Sequence, residues 1–150
     1  MEVKILVDKG AVMEEVAKTT SYAGAKMTED EDAYKRIFTT DEDLAALDRF
    51  WNECCVDLCE MLKKNLESEG MTSDGRYAVQ LELSNSFDRT LTGPIEKEAL
   101  SYFVTGIVSK WYAYTNKSES GQYAAAAASL LEGIHRKVCY KRRPTRPTYN

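Results

Sequence analysis

The sequence predicts a mainly α-helical fold: a bundle of three to four helices, a minor two-stranded β element and an extended C-terminal arm. Three observations carry this. Apolar residues recur at alternating steps of three and four over three stretches, near 40–66, 94–116 and 121–140, as one buried helix face requires. Polar–apolar alternation marks two short segments, 2–7 and 76–84. The last ten residues, KRRPTRPTYN, hold Pro144 and Pro147, which forbid further helix and favour an extended, polyproline-like path.

A chain of 150 residues is normally one domain, placed here at 1–140 with the arm at 141–150. Hydrophobic content of 43% and charged content of 29% fit a globular protein. No apolar run approaches the roughly 20 residues of a membrane helix, so no membrane role is expected. The opening MEVKILVDKG does not read as a signal peptide. A reducing compartment is therefore expected, with the four cysteines as thiols.

In order along the chain, Val3, Ile5 and Val7 share one side of a short strand over Glu2–Val7. Val12, Met13, Val16 and Ala17 suggest an amphipathic helix from about Gly10 that fades near Thr19–Ser21 and stops around Gly24. The acidic run Glu29–Asp32 leads a helical turn anchored by Tyr34, Ile37 and Phe38. The central helix is expected from Thr40 to about Leu66, with Leu44, Leu47, Trp51, Cys54, Leu58, Met61 and Leu62 as its stripe. Thr40 can cap it with Asp43 three residues on, and Lys63 and Lys64 suit its negative end. About 27 residues make a rod of roughly 40 Å, around which the rest is expected to pack.

Ser68–Gly75 reads as a loop. Arg76–Ser84 is the clearest strand, with Tyr77, Val79, Leu81 and Leu83 on one face and residues 2–7 as its mate. A lone strand pair needs a cover, and its open edge suits a neighbouring subunit. Pro94 opens a helix buried through Leu100, Phe103, Val104, Ile107, Val108 and Trp111, ending near Asn116. After a KSESG turn, the last helix runs from about Gly121 to Tyr140 through Tyr123, Ala127, Leu130, Ile134 and Val138, and its run Ala124–Ala128 would admit another helix closely.

Candidate chemistry is sparse. Cys55 with Cys59 and His135 with Cys139 form two i, i+4 pairs that would enclose zinc if their helices met side by side. The thiols lie on or beside an apolar stripe, however, and buried free cysteine is common, so no metal or cofactor is assigned. His135 is the only histidine, and it stands in a helix leading to a basic tail, so any Ser–His or Cys–His mechanism would depend on it. There is no nucleophile elbow, phosphate loop or dinucleotide fingerprint. No enzyme is expected. Tyr102, Tyr112 and Tyr114 beside Phe103 and Trp111 suit core and rim packing better than base stacking.

Charge is the sharper signal. Residues 1–75 hold 18 acids and 9 bases, a net of −9, whereas residues 76–150 hold 6 acids and 11 bases, a net of +5. Six bases, Arg136, Lys137, Lys141, Arg142, Arg143 and Arg146, fall in the last fifteen residues, which contain no acid. Opposite-signed halves suit head-to-tail stacking or an acidic partner. The arm, with Tyr149, can dock into an acidic groove, contact nucleic-acid phosphates or remain a solvated tail.

The segments VAKTTSYAGAKM (Val16–Met27), AYKRIFTTDEDLAALDRFWNECC (Ala33–Cys55) and Leu91–Arg146 resemble small virion proteins from structural-gene clusters of tailed phages and prophages. The layout resembles head–tail connector (adaptor) proteins: an acidic-capped helix, a loop or strand insertion, a helical hairpin and an extended C-terminal segment. The strand and helix before Thr40 depart from the plainest adaptors, so a tail-completion protein is an alternative within the resemblance. The resemblance implies a homo-oligomeric ring, commonly of twelve copies, beneath the portal in the virion neck, assembled from host cytoplasm. DNA would pass through it without sequence-specific binding. It further implies that Lys141, Arg142, Arg143, Arg146 and Tyr149 dock the portal and neighbouring neck or tail proteins, and that Tyr77–Leu83 contacts the next subunit. Outside the family, the first alternative is a nucleic-acid-binding accessory protein using the same arm, and the second a bacterial enzyme or regulator centred on His135.

Overall fold

The computed structural model describes residues 1–26 and 43–144. Strand β1 (Glu2–Asp8) leads into helix α1 (Lys9–Lys26), and helix α2 (Leu44–Met61) is followed by the hairpin strands β2 (Leu66–Met71) and β3 (Arg76–Glu82). A 3-10 turn (Arg89–Leu91) introduces helices α3 (Thr92–Thr115) and α4 (Lys117–Cys139). The described residues are thus mainly helical, with four α-helices and one antiparallel sheet of three strands in the order β1-β3-β2.

The two alternating segments form strands for the reason their pattern suggests. In β1, Val3, Ile5 and Val7 are buried while Glu2, Lys4 and Asp8 face solvent. In β3, Tyr77, Val79 and Leu81 are buried directly opposite them, in register Val7–Tyr77, Ile5–Val79 and Val3–Leu81. The inward face meets α2 and α3 through an aromatic cluster. Trp51 stacks on Phe103 at 4.4 Å between centroids, and Tyr77 meets Phe103 edge-on at 5.9 Å.

Several boundaries differ from the sequence expectation. The sheet has a third strand where residues 68–75 read as a loop. β2, LESEGM, is polar on both faces because it is an exposed edge, so it shows no alternation to read. Gly75, at φ +82°, supplies the left-handed residue of the turn that closes the hairpin. α2 is correspondingly shorter, 18 residues or about 27 Å. Asp43 makes no side-chain cap bond at its start. Lys63 lies in the turn beyond its end, paired with Glu60 at 2.7 Å. Thr40, the acidic run 29–32 and the anchors Tyr34, Ile37 and Phe38 lie outside the described residues.

α1 continues to Lys26 rather than stopping near Gly24. Thr20 is fully buried, and its hydroxyl donates back to the carbonyls of Val16 (3.0 Å) and Ala17 (3.1 Å), so the TTS segment is satisfied without leaving the helix. Residues 117–120 are the first turn of α4 and not a loop. The break between the helices is Asn116 alone, at φ −153° and ψ 68°.

The helix that organises the fold is α3, not α2. It buries Ile95, Ala99, Tyr102, Phe103, Ile107, Val108 and Tyr112, and packs against α1, α2, α4 and β1. Burial extends nearly around the helix, which blurs the stripe expected from Leu100, Val104 and Trp111; these three are only partly buried. α3 and α4 form an antiparallel hairpin, tied by the Lys137–Glu98 ion pair at one end and by Ser120 Oγ donating to the Ser109 carbonyl (2.9 Å) at the other. Of the run Ala124–Ala128 only Ala127 is buried.

Candidate docking surface

The cationic C-terminal residues gather on one corner of the molecule because α4 delivers them beside the loop that enters α3. After Tyr140 the backbone turns extended, and Lys141 pairs with Phe87 in an isolated antiparallel bridge. The Arg142 N–H donates to the Ser86 carbonyl at 2.8 Å. The loop is itself ordered from within: the Phe87 N–H donates to the Ser84 carbonyl at 2.9 Å, and the Phe87 ring is buried. Asp88 then caps the 3-10 turn by accepting from the Thr90 N–H (3.0 Å) and hydroxyl (2.7 Å).

Asp88 also accepts from Arg142 Nη2 at 2.9 Å. The Thr90 hydrogen bonds, and after them the guanidinium, hold Asp88 below the usual carboxylate range. Lys137 is similarly fixed by Glu98. Arg89, Arg136, Lys141 and Arg143 have no carboxylate within ion-pair distance among the described residues. Two clefts open here. One, of about 420 Å³, is lined by Asn85, Ser86, Phe87, Arg89, Arg142 and Arg143 among others. The second, of about 330 Å³, is lined by Asp88, Leu91, Gly133, Arg136, Lys137 and Tyr140. Arg142 walls the first and its partner Asp88 the second, so the clefts are neighbours across that ion pair.

Of the arm residues singled out from sequence, Lys141, Arg142 and Arg143 therefore share this corner, whereas Arg146 and Tyr149 lie outside the described residues. Lys141 and Arg142 belong to the folded body rather than to a free arm. Sequence reasoning missed Arg89, which stands alone in a loop with no periodicity. The only local hint was the cap pattern of Asp88 and Thr90.

The strand residues singled out for subunit contact are placed differently from expectation. Tyr77, Val79, Leu81 and Leu83 are all buried, and β3 is the middle strand with both edges paired. Among the described residues the outer edge of β1 is partly covered, since the Leu6 N–H donates to Glu96 Oε2 of α3 at 2.9 Å. The exposed edge strand is β2, which presents Glu67, Ser68, Glu69 and Met71 to solvent.

The two cysteine pairs do not converge. Cys59 Sγ lies 3.2 Å from Tyr77 Oη, which donates to Glu69 Oε2 at 2.6 Å, and Cys55 and Cys59 border a separate cleft of about 520 Å³. His135 Nε2 and Cys139 Sγ are 3.6 Å apart on α4. Among the described residues, the one group of three or more metal-type ligands within 4.8 Å of one another is Glu2, Glu67 and Glu82, all exposed. Burial pushes the thiols of Cys54 and Cys55 up to about 12 and also raises Cys59, which keeps them protonated and poor as ligands or nucleophiles. No helix among the described residues is long and apolar enough to cross a membrane.

Comparisons with protein-family models, with curated proteins and with solved structures found no match.

Proposed function

We propose that this chain is a non-catalytic structural subunit, a head–tail connector of a tailed phage or prophage that works in a ring and docks the portal through its C-terminal segment. The observation that supports this best is the staple at the root of that segment. Lys141 and Arg142 are held to loop 84–88, so the chain beyond leaves from a fixed point on a cationic corner. A basic, proline-bearing segment launched from a rigid base loses less entropy on docking than a free tail. Arg143, Arg146 and Tyr149 are the portal contacts in this reading, with Lys141 and Arg142 as their anchor. Subunit contact is assigned to the acidic β2 edge instead of the buried β3 strand.

The test is truncation after Arg142, which removes the segment and keeps the staple. Mass measurement of the isolated protein, alone and mixed with candidate portal, should show the full chain joining the complex and the truncated one failing to join. Unchanged portal binding by the truncated chain, or a particle assembled normally without the protein, would overturn the proposal.

A further inference from the structure

We infer that the paired clefts of the cationic corner form a binding band for the phosphodiester backbone of single-stranded nucleic acid. The connector reading is not a premise here. The two clefts are lined by five cations, Arg89, Arg136, Lys137, Arg142 and Arg143, of which Arg142 is engaged by Asp88 and Lys137 by Glu98. Those two ion pairs fix a guanidinium and an ammonium, and the remaining three cations, Arg89, Arg136 and Arg143, have no carboxylate partner among the described residues. Guanidinium forks match phosphate oxygens two at a time, and four of the five cations are arginines.

Two further features favour an alternating phosphate–base polymer over a carboxylate-rich protein surface. Neutral donors, Asn85 and Ser86, sit among the cations of the first cleft. Tyr140 lines the second cleft with its side chain half exposed, a ring on which a base can stack between Arg136 and Lys137. The chain as a whole carries a net charge of −4, so its other faces repel a polyanion and confine contact to this corner. A band of this size engages about three to four phosphates, and binding to a single strand should then fall with salt at a log–log slope of about −2 to −3.

The experiment is fluorescence anisotropy of the full chain with a labelled thymidine 20-mer and a uridine 20-mer, from 50 to 300 mM salt. Binding of both points to the shared backbone, and binding of one alone shows that the band also reads the sugar or the thymine methyl. Arg89→Glu with Arg136→Glu should weaken binding at least tenfold, and Tyr140→Ala at least about fivefold. Lys18→Glu on α1 should change it little, and truncation after Arg142 should retain most of it. The inference is overturned by absence of binding to either strand at 50 mM salt. It is equally overturned by affinity that ignores the Arg89 and Arg136 changes, by loss on truncation alone, or by stronger binding of poly-L-glutamate. Portal binding is read separately by mass, so each proposal can fail without the other.

Discussion

The sulfur of Cys54 lies 2.9 Å from where a Cβ on Gly106 would sit, so α2 and α3 cross with no room for even a methyl group. Tyr102 braces the same crossing by donating its hydroxyl to the Cys54 carbonyl at 3.3 Å. In an open helix, Gly→Ala would add about 1 kcal/mol of stability. Here overpacking costs about 1–3 kcal/mol. Gly106→Ala should therefore lower the thermal midpoint, and pairing it with Cys54→Ala should recover most of the loss. Thermal melts of the four proteins of that double-mutant cycle check this. Additive effects would mean that the helices slide apart freely.

Burial sets the reactivity of the four thiols. Cys139 is exposed, Cys59 is half-buried, and Cys54 and Cys55 are buried. A thiol-titrating disulfide reagent at pH 8 should label Cys139 quickly and Cys59 slowly, and reach Cys54 and Cys55 only on unfolding. Each buried thiol is raised to about 12 from 9.0, so it contributes stability that is fully present below pH 9 and lost as pH rises toward 12. Replacing both by Ala should flatten this alkaline loss, although the raised phenols of Tyr102 and Tyr112 will retain part of it.

Asp88 should show the opposite pH dependence. Its folded pKa is depressed below 3.8, so its contribution is present above that value and lost as pH falls through the lower folded one. Asp88→Asn should bring the acid limb of stability closer to flat by lowering stability at neutral pH, where the carboxylate's contribution is present, and leaving it near wild type at about pH 2. Chemical denaturation of both proteins between about pH 2 and pH 6 tests the sign. A variant that diverges from wild type only above pH 5 would contradict it.

What the sequence conveyed follows from which elements face two environments. β1 and β3 each have one wet and one dry side, so alternation revealed them, and the stripe of α2 from Leu47 to Leu58 was visible for the same reason. β2 is wet on both faces and α3 is dry nearly all round, so neither had a contrast to display. The separation of Cys55 and Cys59 from His135 and Cys139 depends on how whole helices are placed, which no local spacing encodes. At the docking corner the arm's cations were legible as a charge run. The contribution of loop 84–91 was not, because it is brought there by tertiary contact with residues 54 or more positions away, as Asp88 with Arg142 shows.

That contact yields the last prediction. Truncation after Tyr140 removes the Lys141–Phe87 bridge, the hydrogen bond of the Arg142 N–H to Ser86 and the guanidinium on Asp88. Truncation after Arg142 removes none of them. The shorter chain should lose about 1–2 kcal/mol, chiefly from two backbone interactions that cover the buried Phe87, because an exposed ion pair adds little. The longer one should melt like the full chain. Arg142→Ala, which keeps the backbone bonds, should fall between them and close to the full chain. Thermal melts order the three, and amide exchange at Phe87 should quicken only in the chain that ends at Tyr140. Equal midpoints for both truncations would mean that the staple does not hold in solution, and the fixed launch point for the C-terminal segment would go with it.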